Sequence, residues 1–297
     1  MAKCHLFLFM SQYIGRFAPS PSGRLHFGSL VAAVGAYAVA KIKDGKILLR
    51  IEDLDFFRCK KEYTSIILRE LDEFGFKFDG EPYIQSEHTD VYYKAAKDLV
   101  AKEKAFYCNC TRSYLKNNSC HCRNKGLKED SEDNLALRFI IPKVHQDYFE
   151  DEIYGQKRFP VLQESLTLIR RDKVISYNLA CVVDDIRQGV TQVVRGSDLI
   201  DITTTQMCLY KALDADYISY LHLPLAMADD TYKLSKQNRS PAVLDQGSPS
   251  QMLIKALEFL NQDTDGLQPQ MPPKKILDKA LERFEIKRIP VGKKVVV

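Results

Sequence analysis

The sequence predicts an α/β protein built on a buried parallel sheet, and three features predict it. First, apolar strands at residues 13–17 and 46–51 flank a helix over residues 30–41, a strand–helix–strand unit whose strands are apolar on both faces, as in a sheet covered on both sides. Second, the pattern returns later in the chain: a buried run over 177–185 ending in Asp184-Asp185, a Val-Val-Arg-Gly segment at 193–196, a helix over 199–213 and a strand near 221–227. Third, the remainder is helical with proline-rich breaks, over 252–260 and 275–284.

Each element has a local reason. The first strand runs into Ala18-Pro19-Ser20-Pro21-Ser22-Gly23-Arg24-Leu25-His26-Phe27-Gly28-Ser29, a turn that opens a helix closed by Asp44-Gly45. Unpaired N–H groups and the positive dipole end of that helix face the turn, a setting that holds polyphosphate. Gly23 and Gly28 permit close backbone approach, and His26 can donate to a phosphate oxygen. The second strand delivers Glu52, Asp53 and Asp55 at its carboxyl end, where ligands of parallel sheets collect. Asp53 and Asp55 can instead cap the helix after Phe57, whereas Glu52 comes directly off the strand. Helical spacing follows at Tyr63, Ile66, Ile67, Leu71 and Phe74, and Ser86 is placed to cap a helix through Val91, Ala95, Leu99 and Val100. Residues 123–134 are charged and read as a mobile loop; strands are expected at 136–141, 167–170 and 176–183. The predicted division is 1–80 and 136–245 as two halves of a catalytic fold, 81–135 as an insertion, and 246–297 as a helical appendage.

Composition sets bounds. A chain of 297 residues, 45% hydrophobic and 28% charged, buries a real core. Its net charge of +4, from 43 basic and 39 acidic residues, permits a local nucleic-acid patch without arguing for one. No run approaches the ~18 apolar residues of a membrane span, and residues 6–10 are too short for an export signal, so a cytoplasmic protein is expected. Cys4, Cys59, Cys181 and Cys208 are scattered among apolar or helical surroundings and read as packing residues. Cys108, Cys110, Cys120 and Cys122 crowd together in two Cys-x-Cys pairs, a thiolate set suited to a structural Zn²⁺ with no coordination position left open for water.

Two lysines in a short polar loop, Lys233-Leu-Ser-Lys236-Gln237, can close over nucleotide phosphates and stabilise departing pyrophosphate. Together with His26-Phe-Gly-Ser29, this loop resembles the paired HIGH and KMSKS signatures of class I aminoacyl-tRNA synthetases. Arg16-Phe-Ala-Pro-Ser-Pro-Ser-Gly, Arg50-Ile-Glu-Asp-Leu-Asp and Val-Val-Asp184-Asp185 narrow the resemblance to the glutamyl-tRNA synthetase catalytic domain, over roughly residues 13–245. Little chain follows the lysine loop, where full-length glutamyl-tRNA synthetases carry a helical anticodon-binding region. That architecture is similar to the glutamyl-queuosine tRNA(Asp) synthetases, stand-alone relatives that attach glutamate to a modified anticodon base.

The resemblance implies a class I synthetase Rossmann-type sheet with a zinc-bearing insertion. It also implies an ATP- and Mg²⁺-dependent, monomeric ligase acting on L-glutamate and queuosine-bearing tRNA(Asp). It places Arg16, Phe17, Ala18, Pro19, Ser20, Glu52, Tyr177 and Arg195 at glutamate, with the arginines on its carboxylates and Glu52 on its ammonium. His26, Gly28, Ser29, Lys233 and Lys236 fall at ATP, the two lysines, His26 and Gly28 carrying the activation chemistry. The insertion of the resembled family carries zinc, with a tyrosine frequently standing in for one cysteine. Here Asn118 falls at that position, so Cys120 is the expected ligand, with His121 and Tyr114 behind it. The competing readings are a synthetase charging the tRNA 3′ end, a zinc RNA-binding protein without catalysis, and a small-molecule adenylyltransferase.

Overall fold

The computed structural model describes residues 12–131, 134–227 and 241–295. The chain enters in β1 (Ile14–Phe17), crosses over through α1 (Phe27–Ile42) and returns in β2 (Lys46–Ile51), parallel to β1 with Arg16 opposite Leu48. Small side chains at Ala33, Ala36, Ala38 and Ala40 let neighbours close on α1 from nearly every side. Leu223 packs directly on the helix backbone at Gly35, where a Cβ would fall 2.6 Å from its Cδ1. The amphipathic α2 (Lys61–Glu73) buries Ile67 and Leu71 and leads to β3 (Tyr83–Ile84), parallel to β2.

Next come α3 (Thr89–Ala101), β4 (Ala105–Cys108), the single turn α4 (Arg112–Leu115), β5 (Ala136–Ile140), the hairpin β6 (Tyr148–Asp151) and β7 (Gly155–Arg158), and β8 (Ser165–Ile169). β4, β5 and β8 form an antiparallel sheet. The chain then re-enters the main fold through α5 (Tyr177–Arg187), β9 (Gln192–Gly196), α6 (Thr203–Ala212), β10 (Ser219–Leu223) and β11 (Leu225–Met227). It finishes with α7 (Pro249–Phe259), α8 (Pro273–Leu281) and β12 (Lys293–Val295), the last parallel to β11.

Thr191 N donates to the Ile14 carbonyl at 2.9 Å, setting β9 beside β1. The strands therefore lie in the order β3, β2, β1, β9, β10, with β6 parallel to β10 beyond them. That order reverses between β1 and β9, and a crevice opens at such a reversal at the carboxyl ends of the strands.

Several expectations need correction. Residues 177–187 are helical, not a strand: α5 is wedged between layers with Leu179 through Asp185 all buried, so its apolar run shows no helical period. Its start is marked by Ser176, whose hydroxyl accepts from Leu179 N at 3.4 Å. The helix expected over 199–213 begins as a short 3-10 turn, and α6 proper starts at Thr203. Ser86 does not cap α3, which begins after His88; its N–H and hydroxyl go to the Asp53 carboxylate at 2.8 and 2.6 Å. Neither Asp53 nor Asp55 caps α2, whose N-cap is Lys60 without a side-chain bond. The hairpin of β6 and β7, with alternating burial too short to read, was not expected. The helical tail packs into the main core: Leu253, Ala256, Leu257 and Ile276 share one apolar cluster with Leu30 and Val34, and Phe259 meets Phe27 edge-on at 5.7 Å. No described helix is long and apolar enough to cross a membrane.

Candidate active site

A cavity of about 480 Å³ opens at the carboxyl ends of β1, β2 and β9. Arg16, Phe17, Ala18, Pro19, Ser20, His26, Gly28, Ser29, Glu52, Tyr177 and Arg195 all line it, although they come from four separate parts of the chain. Leu225 and Ala226 of β11 form part of its wall, and the chain continues from there toward Lys233 and Lys236, which lie outside the described residues.

One end of the cavity is the start of α1. His26 is its N-cap, with Nδ1 accepting from Ser29 N at 3.2 Å. With Nδ1 an acceptor, the neutral imidazole carries its hydrogen on Nε2. The ring lies so near the helix start that a Cβ on residue 28 would stand 3.1 Å from His26 Cε1, a tight contact that Gly28 avoids. The first turn of α1 has no acidic side chain, so its N–H groups and dipole present an uncancelled positive end.

The floor is a buried charge cluster. Arg16 and Arg50 are 3% and 0% exposed, and both reach one carboxylate oxygen: Arg16 Nε donates to Asp185 Oδ1 at 3.1 Å and Arg50 Nη2 at 2.7 Å. Burial opposes ionisation of Asp185, but the two guanidiniums prevail and hold its carboxyl below the usual range. Burial raises Asp184 despite Arg50 nearby, and Asp184 Oδ2 accepts from Gln85 Nε2 at 2.7 Å and the Tyr92 hydroxyl at 2.8 Å. The aspartate pair thus neutralises arginines rather than facing the cavity, which neither of them lines. Glu52 does line it. Its Oε1 is buried with no hydrogen-bond partner among the described residues, and burial pushes its carboxyl up to about 7.

Opposite stands Arg195, 5% exposed and wrapped entirely in uncharged acceptors. Nε donates to His222 Nε2 at 3.1 Å, Nη1 to Gln206 Oε1 at 2.8 Å and the Tyr177 oxygen at 3.5 Å, and Nη2 to the Leu199 carbonyl at 3.1 Å and Thr203 Oγ1 at 2.9 Å. Arg195 makes no ion pair with a described carboxylate. The nearest anion in this chain of contacts is Asp151, one residue removed, whose Oδ2 lies 2.7 Å from His222 Nδ1. For His222 to accept from Arg195, its hydrogen must sit on Nδ1 and be donated to Asp151. Burial lowers the His222 pKa, keeping the ring neutral. Sequence reasoning did not find Asp151, His222, Gln206 or Thr203. The signal available was a lone histidine inside the apolar strand Ser219–Leu223.

Away from the cavity, the sulfurs of Cys108, Cys110, Cys120 and Cys122 lie within 4.8 Å of one another. Burial, followed by the neighbouring Cys122, pushes the Cys110 thiol up to about 11, a cost that a bound cation removes. His121 is not in this group, and Tyr114 is exposed, its carbonyl accepting from Asn118 Nδ2 at 2.9 Å. The four thiols can hold a metal ion.

Comparison with known proteins agrees with this arrangement. The family of class I tRNA synthetases (E and Q), catalytic domain, matches residues 14–275. The glutamyl-Q tRNA(Asp) synthetase of Vibrio parahaemolyticus is 41% identical over 287 residues, covering 95% of this chain and 95% of that protein. The protein of the same name from Escherichia coli K12 is 40% identical, covering 94% of this chain and 91% of the relative. A solved glutamate tRNA ligase from Elizabethkingia meningosepticum shares the fold with a TM-score of 0.77 at 21% identity, covering 96% of this chain and 67% of that one. With a catalytic-domain match over most of its length and relatives aligned almost end to end, the chain belongs to the class I tRNA synthetases of the E and Q type.

Proposed function

We propose that this protein activates L-glutamate with ATP and transfers the glutamyl group to the queuosine base in the anticodon of tRNA(Asp). The observation that carries the activation step is the convergence of Arg16, Glu52, Tyr177 and Arg195 with the His26 turn on one cavity. An amino acid with two carboxylates and one ammonium needs a donor for each carboxylate and one anionic contact, and the cavity supplies that set. Arg16 keeps one N–H on each terminal nitrogen beyond its bonds to Val194 O and Cys181 Sγ. Arg195 has no such surplus and acts through Tyr177: the hydroxyl oxygen accepts from Arg195 and its hydrogen is donated to the substrate carboxylate. Glutamine would forfeit one charge-assisted hydrogen bond, about 1.5–3 kcal/mol. The ammonium goes to the unpartnered oxygen of Glu52.

His26 Nε2 and the start of α1 take the ATP phosphates, with Mg²⁺ accompanying the nucleotide and Lys233 and Lys236 reaching it from the segment after β11. The glutamate α-carboxylate oxygen attacks the α-phosphorus, the bond to the β-phosphate oxygen breaks, and pyrophosphate leaves. A ring hydroxyl of queuosine then attacks the adenylate carbonyl and AMP departs. Both steps rest on positioning and charge stabilisation, with no protein nucleophile. The relatives' shared name supports queuosine as acceptor and tRNA(Asp) as carrier.

The four cysteines fit zinc. A tetrahedron with Zn–S bonds of ~2.3 Å has sulfurs ~3.8 Å apart. The sulfur separations here are 3.6 Å for Cys108–Cys120, 3.5 Å for Cys110–Cys122 and 4.0 Å for Cys110–Cys120. The ion would tie β4 to the turn at Cys122 and leave no position for a reacting water.

The test has two arms. Glutamate-dependent ATP–pyrophosphate exchange measures activation, and its absence ends the proposal. Labelled glutamate transferred to tRNA(Asp) is then mapped by nuclease digestion: label on the anticodon fragment supports the proposal, and label on the 3′ terminal adenosine means ordinary charging.

A further inference from the structure

Between Glu52 and α2 the chain makes a turn held at both ends. Glu52 N donates to the Pro19 carbonyl at 3.1 Å and Lys60 N to the Pro21 carbonyl at 3.0 Å. Inside the turn, Arg58 N and Cys59 N both reach the Asp55 carbonyl, at 2.9 and 2.8 Å. A loop fixed in this way has no need of solvent-facing aromatic rings, yet its tip carries two. Phe56 is 60% exposed and Phe57 is 66% exposed, with ring centroids 4.5 Å apart. Apolar groups presented together on a rigid turn mark a contact surface.

A second cavity, of about 350 Å³, lies behind this turn. It shares Ser20, Ser22, Glu52, Arg58 and Tyr177 with the first, so the two lie on either side of one wall, where activated glutamate is to form. Asp55 faces this second cavity; its Oδ2 accepts from Arg58 Nε at 2.8 Å, while its Oδ1 is buried with no hydrogen-bond partner among the described residues. A buried carboxylate oxygen in that condition calls for an N–H or O–H donor from a ligand. Basic side chains stand around the mouth, each in an ion pair that a phosphate can share: Arg58 with Asp55 at 2.8 Å, Lys60 with Glu62 at 3.8 Å and, across the cavity, Arg170 with Asp55 at 3.6 Å.

We propose that the turn and the cavity behind it form the shelf for the acceptor RNA. One unstacked nucleoside enters the second cavity and donates hydrogen bonds to Asp55, the next base stacks on Phe56 and Phe57, and the intervening phosphates lie against Arg58 and Lys60. Single-stranded RNA is recognised in this way, by splayed bases on aromatic faces beside cations, and the volume suits one small ligand. The occupant this favours is a nucleic acid loop over an apolar protein surface, because the rings stand beside Arg58 and Lys60 on a turn that borders the adenylate cavity. This inference rests on the glutamyl-transfer reading and adds to it where the acceptor binds.

The experiment is the double substitution Phe56→Ala/Phe57→Ala in the full chain, with Phe56→Tyr/Phe57→Tyr and Phe56→Leu/Phe57→Leu beside it. Each is measured in ATP–pyrophosphate exchange and in transfer to tRNA(Asp). Exchange is expected to be unchanged in all three, and the thermal midpoint likewise, since the rings are exposed. The tRNA KM should rise about 5- to 150-fold in the alanine pair, from loss of ~1–3 kcal/mol of stacking. Tyrosine should restore it and leucine should not. An unchanged tRNA KM in the alanine pair, rescue by leucine, or a change in oligomeric state in place of a change in transfer overturns the shelf. Absence of exchange in the unsubstituted protein strikes instead at the activation reading.

Discussion

The carboxyl of Glu52 makes glutamate binding sensitive to pH in a calculable way. Buried and pushed up to about 7, it changes charge within the range where the enzyme can be assayed. Only its ionised form attracts the substrate ammonium. Glutamate keeps both carboxylates ionised and its amine protonated from pH 6 to 8, so the apparent KM should follow the ionised fraction of Glu52 alone. For a group titrating near 7, about one molecule in eleven is ionised at pH 6 and about ten in eleven at pH 8, a roughly tenfold fall in KM across the interval. The assay is initial-rate ATP–pyrophosphate exchange against glutamate concentration at saturating MgATP. Glu52→Gln should remove the slope and hold KM near or above the acid-side value. The same titration acts on stability with a definite sign. The folded protein favours the neutral acid, so this contribution is full below the ordinary carboxylate range and is lost as pH rises through about 7. Saturating glutamate should therefore raise the thermal midpoint more at pH 8 than at pH 6. A KM that stays level from pH 6 to 8, or a slope that survives in Glu52→Gln, refutes the assignment of Glu52 to the ammonium.

Other substitutions probe the remaining supports. His222→Leu removes the acceptor for Arg195 Nε, a charge-assisted bond worth about 1.5–3 kcal/mol, and should raise glutamate KM by at least tenfold while His222→Gln recovers part of it; equal KM values would show that Arg195 does not depend on this histidine. Asp185→Asn strands two buried guanidiniums and should cost about 3–5 kcal/mol, lowering the thermal midpoint by on the order of 10 °C in a denaturation scan. Cys120→Ser should reduce bound zinc well below one ion per chain by elemental mass spectrometry and lower the thermal midpoint, with ATP–pyrophosphate exchange retained. Metal-free unsubstituted protein of full stability would dispose of the zinc site.

What the sequence made legible follows from how each signal is encoded. The first crossover unit could be read because β1 and β2 are short apolar runs bounded by turn residues, and Glu52 because it directly follows β2. The cysteine cluster was legible because its four thiols are close in sequence, so spacing alone carries the geometry. α5 was not, because a helix buried on every side loses the alternation that distinguishes it from a strand. The surroundings of Arg195 were hidden for a different reason: His222 and Asp151 are 71 positions apart, and only the parallel pairing of β6 with β10 brings them together. Lys233 and Lys236 remain outside the described residues, so their part rests on the motif.

The neutral jacket around Arg195 has a practical consequence at the bench. A guanidinium enclosed by amide, hydroxyl, carbonyl and imidazole groups keeps a charge that no described ion pair cancels, beside Arg16, whose terminal nitrogens each retain one N–H. Sulfate, phosphate or citrate from the buffer should lodge on the spare N–H groups of Arg16 and the Tyr177 hydroxyl, competing with the amino acid and propping up the protein against heat. Preparations made in those salts will look sturdier and slower than those made in chloride.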